Sequence, residues 1–380
     1  MLSQRPTTRG DDGVLPPDAL YEILLRVPAG PLCGFRAVCQ SWRSLLSDPP
    51  FVAAHAARHR GDPLFAIAVA GGSHGETAEI KLLDTSGRVA KRVAAGPSAL
   101  LRQMRPHLDL VFIRRLQPFG VQDVPPLRVL DPATGTVSLL PNDDGVCDRS
   151  YVFGRAATST GGDGEYKVLS LCSCKILTVD GYHGRHGAWR TAPAPPVDDI
   201  ETLHTGTVVA KGVVYLLVDN ADGGWTMAAF DLEAEQWRPS LLRGPVAVPS
   251  IGDRTQRSLA EVNGRLAAVS STVSTMDLWL LVGSGEQALW SERCRVLTSS
   301  VPRRREVYAY EEPLWVLDDG RVAFWACSYF ARTGALWMYD PRTETCTRVA
   351  AMENCPKVGV GVYTGNLLRQ VQRPHGMVLI

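Results

Sequence analysis

Apolar positions near the start of the chain fall at Leu20, Ile23, Leu24 and Val27. That i, i+3, i+4, i+7 spacing draws one stripe down a helix. Pro16 and Pro17 precede the stripe, where a first turn tolerates proline, and Asp18 suits the positive end of the helix dipole. Pro28 stops the helix. A second stripe runs through Leu32, Phe35, Val38, Cys39, Trp42, Leu45 and Leu46. Ser47-Asp48-Pro49-Pro50 breaks it and caps a shorter helix that opens on Phe51, Val52 and His55. The pattern predicts a small three-helix module over residues 14–60.

From residue 62 to residue 380 the signal changes to short β runs punctuated by Gly, Pro, Asp and Asn. The runs repeat. Leu82-Leu83-Asp84, Val129-Leu130-Asp131, Thr178-Val179-Asp180, Ala229-Phe230-Asp231 and Met338-Tyr339-Asp340 end alike, and Ser284 closes a degenerate copy. Successive anchors are 47, 49, 51, 53 and 56 residues apart. Several lead into a turn and another strand, as in Asp131-Pro132-Ala133-Thr134-Gly135 and Asp340-Pro341-Arg342-Thr343. A period near 50 matches one four-stranded blade per repeat, so the anchors predict a β-propeller of about six blades.

Composition narrows the class. The chain has 380 residues, 45% hydrophobic and 21% charged, as expected of a globular protein large enough for a small module and a large β domain. A net charge of +1 argues against nucleic acid as the main partner. The longest apolar runs, such as residues 64–70 and 213–218, are far short of a membrane span, so no membrane partner is expected. Residues 1–13 read as a disordered polar tail without an apolar signal core. The expected location is the cytoplasm, the nucleus or both. Nine scattered cysteines, an odd number, read as free thiols.

Sites of bond chemistry are hard to find. No nucleophile elbow, phosphate loop or dinucleotide fingerprint occurs. The Gly-rich pieces at residues 71–75 and 161–164 lie between strands and read as turns. Cys172 and Cys174, expected on one face of a strand, with His183 and His186 in a nearby loop, are the best metal candidates. Their spacing matches no common zinc motif, and core-plus-loop roles explain them as well. Arg303-Arg304-Arg305, Arg114-Arg115 and Arg58-His59-Arg60 are brief enough for solvated segments, with a nuclear signal or acidic-ligand contact as the alternative. Eight tryptophans, at 189, 225, 237, 279, 290, 315, 325 and 337, are expected in blade or inter-blade cores, one or two of them at a ligand-binding mouth. Catalytic residues, bound metal and cofactor are all expected to be absent.

Residues 15–24 (LPPDALYEIL), 35–43 (FRAVCQSWR) and 47–51 (SDPPF) together resemble an F-box, in the form found in plant F-box proteins with a kelch-like, F-box-associated propeller. The F-box resemblance covers about residues 14–55, and the propeller resemblance covers most of the remainder. Gly34 departs from the pattern, which usually has a basic or polar residue there. Glycine costs roughly 1 kcal/mol in a helix interior, so a later helix start or weaker docking is expected. The resemblance implies docking on a Skp-type adaptor, which bridges to cullin and RING subunits, with a protein substrate of unknown identity held by the propeller. By the same resemblance the docking residues are Leu15, Pro16, Leu20, Ile23, Leu24, Leu32, Phe35, Val38, Cys39 and Trp42. The implied role is substrate recognition in a ubiquitin ligase. A propeller scaffold outside any ligase, or a propeller enzyme, are the alternatives. Size gives independent support: about 45 residues bury too little surface to stand alone, so surplus apolar stripes want a partner. Packing of those stripes onto the propeller as a cap is the plainer reading.

Overall fold

The short helices follow the proline and polar punctuation of the first sixty residues. In the computed structural model they are α1 (Pro17–Leu25), α2 (Ala29–Phe35), α3 (Gln40–Leu45) and α4 (Pro49–Arg58). The structure describes residues 15–59, 61–71, 77–97, 101–107, 109–115, 127–143, 151–158, 164–180, 185–197, 206–218, 224–245, 255–283, 289–301, 309–328, 333–352 and 360–369. The polar tail expected at residues 1–13 lies outside them.

The three expected helices are four, because the second stripe is split. Cys39 is extended, with φ −158° and ψ 171°, and separates α2 from α3. The break has a use. In one continuous helix, residues 36 and 46 would stand about 15 Å apart along the axis. Here Arg36 reaches the Leu46 carbonyl, its Nη2 donating at 2.8 Å. Gly34 is the penultimate residue of α2, which starts five residues before it at Ala29, so the later start expected from that glycine does not occur. A Cβ at Gly34 would meet no atom within 4 Å.

The chain divides into two units. One is residues 1–60 together with 366–370; the other is residues 61–365 with 371–380. The helical unit therefore recruits a segment expected to belong to the propeller.

The second unit is six antiparallel sheets, the blade count that the repeat anticipates. The first blade joins β1 (Leu64–Gly71), β2 (Thr77–Leu83) and β3 (Val89–Pro97) to a strand from the far end of the chain. The second has β4 (Leu101–His107), β5 (Leu110–Arg115), β6 (Leu127–Leu130) and β7 (Val137–Leu140). The third has β8 (Tyr151–Arg155), β9 (Tyr166–Ser170) and β10 (Lys175–Asp180), edged by the short β11 (Arg185–His186) and β12 (Arg190–Thr191). The fourth has β13 (Thr207–Ala210), β14 (Val213–Leu217) and β15 (Thr226–Asp231), edged by β16 (Gln236–Trp237) and β17 (Leu242–Arg243). The fifth has β18 (Gln256–Val262), β19 (Arg265–Ser271), β20 (Thr275–Val282) and β21 (Leu289–Leu297). The sixth has β22 (Ala309–Val316), β23 (Val322–Ser328), β24 (Thr333–Asp340) and β25 (Thr345–Met352). The closing strand is β26 (Val360–Tyr363), which pairs with β1 from Leu64↔Tyr363 to Ile67↔Val360. One blade built from both ends of the domain fastens the ring.

The repeat anchors have a common job. Four of them, Asp84, Asp131, Asp231 and Asp340, stand at the turn between the third and fourth strands of their blades, where a short carboxylate can hold backbone N–H groups. Asp84 Oδ1 accepts from the Ser86 and Arg88 amides at 2.9 and 3.0 Å. Asp131 Oδ1 accepts from the Ala133 amide at 2.8 Å, and Asp340 Oδ1 from the Arg342 amide at 2.9 Å. Asp231 Oδ1 holds the Glu233 and Ala234 amides at 2.9 and 3.0 Å. These are Asx turns, the local reason for aspartate at that step of the repeat. Ser284 lies outside the described residues. Other hairpins rest on paired left-handed residues: Lys211 and Gly212 (φ 49° and 76°) join β13 to β14, and Asn263 and Gly264 (φ 51° and 74°) join β18 to β19.

All eight tryptophans of the β region pack in blade cores. Trp225, Trp325 and Trp337 are buried, and Trp189, Trp237, Trp279, Trp290 and Trp315 are partly buried against the same clusters.

Candidate functional site

The helical unit closes around a small apolar core of Leu24, Leu25, Leu32, Leu46, Phe51 and Leu368. Phe51 takes Tyr21 edge-on, with ring centroids 5.2 Å apart, and Phe35 meets Trp42 at 5.6 Å. His55 of α4 and His59, the residue that caps it, satisfy carbonyls at and just past the end of α1. His55 Nε2 donates to Val27 O at 2.8 Å and His59 Nε2 to Leu25 O at 3.0 Å. A carbonyl only accepts, so both rings carry the proton on Nε2. The two imidazoles stack 4.3 Å apart.

Arg36 binds the far segment into this unit. Besides Leu46 O, its Nη2 donates to Leu368 O. Burial holds this guanidinium below its ordinary value, with Cys33 opposing the shift. Asn366 Nδ2 donates to Val52 O at 2.9 Å, and Asn366 Oδ1 accepts the Leu368 amide at 2.9 Å. Cys33 Sγ sits 3.5 Å from Leu367 O.

The ten expected docking residues divide by burial. Leu24 and Leu32 are 2% and 0% exposed, so they hold the unit together and offer no surface to a partner. Leu20, Phe35 and Trp42 are half-buried against that core. Pro16 and Cys39 are exposed, and Leu15, Ile23 and Val38 are 52%, 48% and 62% exposed. A bare aliphatic surface of this kind in so small a unit suits a partner. The hydroxyl of Ser41, 3.1 Å from Cys39 Sγ, lowers the Cys39 thiol from its ordinary value.

The metal candidates do not assemble. Cys172 and Cys174 lie in the turn between β9 and β10, and Cys174 has a left-handed φ of 48°, so they do not share a strand face as expected. His186 lies in β11, and His183 lies outside the described residues. No group of three or more His, Cys, Asp or Glu side chains is placed to hold a metal among the described residues. Of the basic runs, Arg303-Arg304-Arg305 lies outside the described residues, Arg114 and Arg115 end β5, and Arg58 is exposed beside the bonded His59. Of the Gly-rich pieces, Gly71 ends β1 and Gly164 precedes β9; residues 72–75 and 161–163 lie outside the described residues.

Polar side chains of the propeller mainly join blades. Glu235, in the last turn of the fourth blade, takes Lys167 Nζ at 2.7 Å and both terminal nitrogens of Arg190 at 2.6 and 2.7 Å, all from the third blade. The Arg190 hydrogen bonds, opposed by partial burial and helped by Lys167, hold its carboxyl below the ordinary value. Asp143 accepts from Ser170 Oγ and Ser173 Oγ at 2.7 and 2.6 Å and from the Tyr151 hydroxyl. Trp189, Trp237 and Trp290 each donate an indole N–H at 2.9 Å to a carbonyl of the preceding blade, of Pro141, Pro193 and Arg243. Cys346 repeats the contact in the sixth blade, its Sγ 3.1 Å from Leu297 O. Cys346 stands six positions after Asp340 and Trp237 six after Asp231, a step from the anchor that is legible in the spacing, whereas Trp189 stands nine after Asp180. Nothing in the sequence marked Arg36, Glu235 or the 366–369 segment.

Comparison with known proteins gives two family matches. The F-box domain family matches residues 14–53, and the family described as F-box associated beta propeller domain matches residues 127–359. An F-box/kelch-repeat protein of Arabidopsis thaliana is 26% identical over 324 residues, covering 80% of this chain and 83% of the relative. Among solved structures, a chain of the nidogen/laminin complex is 11% identical with a TM-score of 0.43, covering 80% of this chain and 98% of its own. TolB from Acinetobacter baumannii is 12% identical with a TM-score of 0.43, covering 80% and 65%. Likeness that distant says nothing of shared chemistry. A helical unit matched by one family, followed by blades matched by the other over more than half of the sequence, identifies the chain as a member of the F-box associated β-propeller family, an F-box protein of the substrate-receptor type.

Proposed function

We propose that this protein is the substrate-recognition subunit of an SCF-type cullin–RING ubiquitin ligase, working in the cytoplasm, the nucleus or both. The helical unit docks a Skp-type adaptor, the adaptor bridges to the cullin and RING subunits, and the propeller presents a protein substrate. Its contribution is proximity. A substrate held near a charged conjugating enzyme meets it at high effective concentration, without bond chemistry from this chain.

The observation that carries this reading is the aliphatic surface of the F-box unit, where Leu15, Ile23 and Val38 are each about half exposed or more. Burying such side chains contributes roughly 1.5–3 kcal/mol apiece, enough for a few of them to anchor a partner. The remaining half-buried candidates, Leu20, Phe35 and Trp42, pack against the core of the same unit.

The test is co-purification of the full-length chain with a Skp-type adaptor, against the double variant Ile23→Asp/Val38→Asp. Both positions are exposed, so the helical unit keeps its core. The wild type is expected to bind and the variant to lose at least tenfold in affinity. A wild type that fails to bind where an established F-box protein does so, or a variant that binds equally, overturns the reading.

A further inference from the structure

The helical unit is discontinuous in sequence. Leu368, fully buried in its core, stands 317 positions beyond Phe51, the neighbouring core residue in the chain. The same four-residue stretch supplies two backbone acceptors, Leu367 O for Cys33 and Leu368 O for Arg36, and the Asn366 amide that satisfies Val52 O. Val52 lies in α4, Cys33 in α2 and Arg36 just after α2, so the stretch is bonded to two separate parts of the unit. We propose that residues 366–369 are a strap that completes the F-box unit and makes its capacity to dock the adaptor conditional on closure of the propeller ring.

Connectivity supplies the coupling. The helical unit hands the chain to the propeller at residues 60–61 and receives it back at 365–366. Those crossings are close to the first pair of the closing ladder, Leu64↔Tyr363. While β26 is paired with β1, two residues separate its last position, Tyr363, from Asn366, and the strap is held at high effective concentration. Four residues with two buried leucines, of which Leu368 enters the helical core, are captured far less often from a long, free tether than from a two-residue one. If β26 leaves β1, the strap loses its tether and the helical core loses Leu368. A receptor whose propeller has opened thereby weakens its own docking surface.

Amide hydrogen exchange on the full-length chain, without adaptor, tests the strap; adaptor affinity tests its consequence, which rests on the docking reading above. Three variants suffice: Leu368→Ala, a chain ending at Gly365, and an insertion of twenty Gly/Ser residues between Gly365 and Asn366. In each, amides of α1 and α4 should exchange at least tenfold faster while those of β14 and β15 keep wild-type rates. Adaptor affinity should fall by a similar factor. Wild-type exchange in α1 and α4 of the shortened chain overturns the strap. Wild-type exchange in the inserted chain, with fast exchange in the shortened one, overturns the coupling to ring closure. If the wild type binds no adaptor, the docking reading fails while the exchange results still decide the strap.

Discussion

Glu235 and Glu344 occupy matching turns, each four positions after its anchor aspartate and each left-handed, with φ of 55° and 54°. An ordinary side chain there costs of order 1 kcal/mol, and glycine relieves it. Glu344→Gly should therefore stabilise the propeller by about 0.5–1 kcal/mol, read as a rise in thermal midpoint. The same change at Glu235 should destabilise, because it takes the counter-charge from Lys167, whose side chain is only 7% exposed and whose Nζ keeps the Leu232 carbonyl. Glu235 also sets an acid response. Its carboxyl titrates below the ordinary value of an unfolded glutamate, so its stabilisation is complete above that ordinary value and is lost as pH falls through the lower, folded value. Denaturant midpoints measured from about pH 5 to pH 3 should fall less steeply in Glu235→Gln than in the wild type. Leu24 is a different case. An amphipathic stripe shows which side of a helix is apolar, yet not whether core or partner covers each position. Leu24→Ala should cost the helical unit about 2–5 kcal/mol and speed exchange in α1 and α4, so lost docking in that variant would report lost structure.

The outer hairpins show most clearly what was legible. Aspartate, turn residue and returning strand sit within a few positions of one another, so the bonds that shape the turn leave a local trace that repeats. The count of six followed from it. The break between α2 and α3 left no trace, because Leu32, Phe35, Val38 and Trp42 keep helical spacing across an extended Cys39. The break accompanies contacts of Arg36 with partners 10 and 332 positions away, which no local pattern reports. Inter-blade contacts were legible only in part. A tryptophan is expected to be buried, but the carbonyl its indole finds belongs to the preceding blade. Trp237→Phe keeps the ring against Phe230 and removes the donor to Pro193 O. It should cost about 1 kcal/mol in unfolding free energy, by denaturant titration, with adaptor affinity unchanged.

For the molecule as a whole, the two family matches and the two structural units tell nearly the same story, and the difference between them is informative. The F-box match ends at residue 53, whereas the unit it belongs to includes residues 366–370. In isolation, Gly365-Asn366-Leu367-Leu368-Arg369 reads as the frayed end of a β domain, since two adjacent leucines carry no period of either 3.6 or 2. Burial of a short segment against residues far away in sequence is the kind of feature that local pattern cannot report. It also changes what counts as the unit to be tested. A fragment of the first sixty residues lacks Leu368 and the three bonds that residues 366–368 make to the helices, so the full chain is the proper object for binding work.

The closing strand and the strap are also the last described parts of the chain to be made. On the ribosome, α1 to α4 emerge more than 300 residues before Leu368, at a few to twenty residues per second, so for roughly fifteen seconds or more the nascent helices lack their core leucine. A growing chain thus shows a finished docking surface only after its last blade has been translated. Adaptor capture during synthesis, followed by ribosome-associated pull-down, should begin late in translation even though the matching sequence comes first.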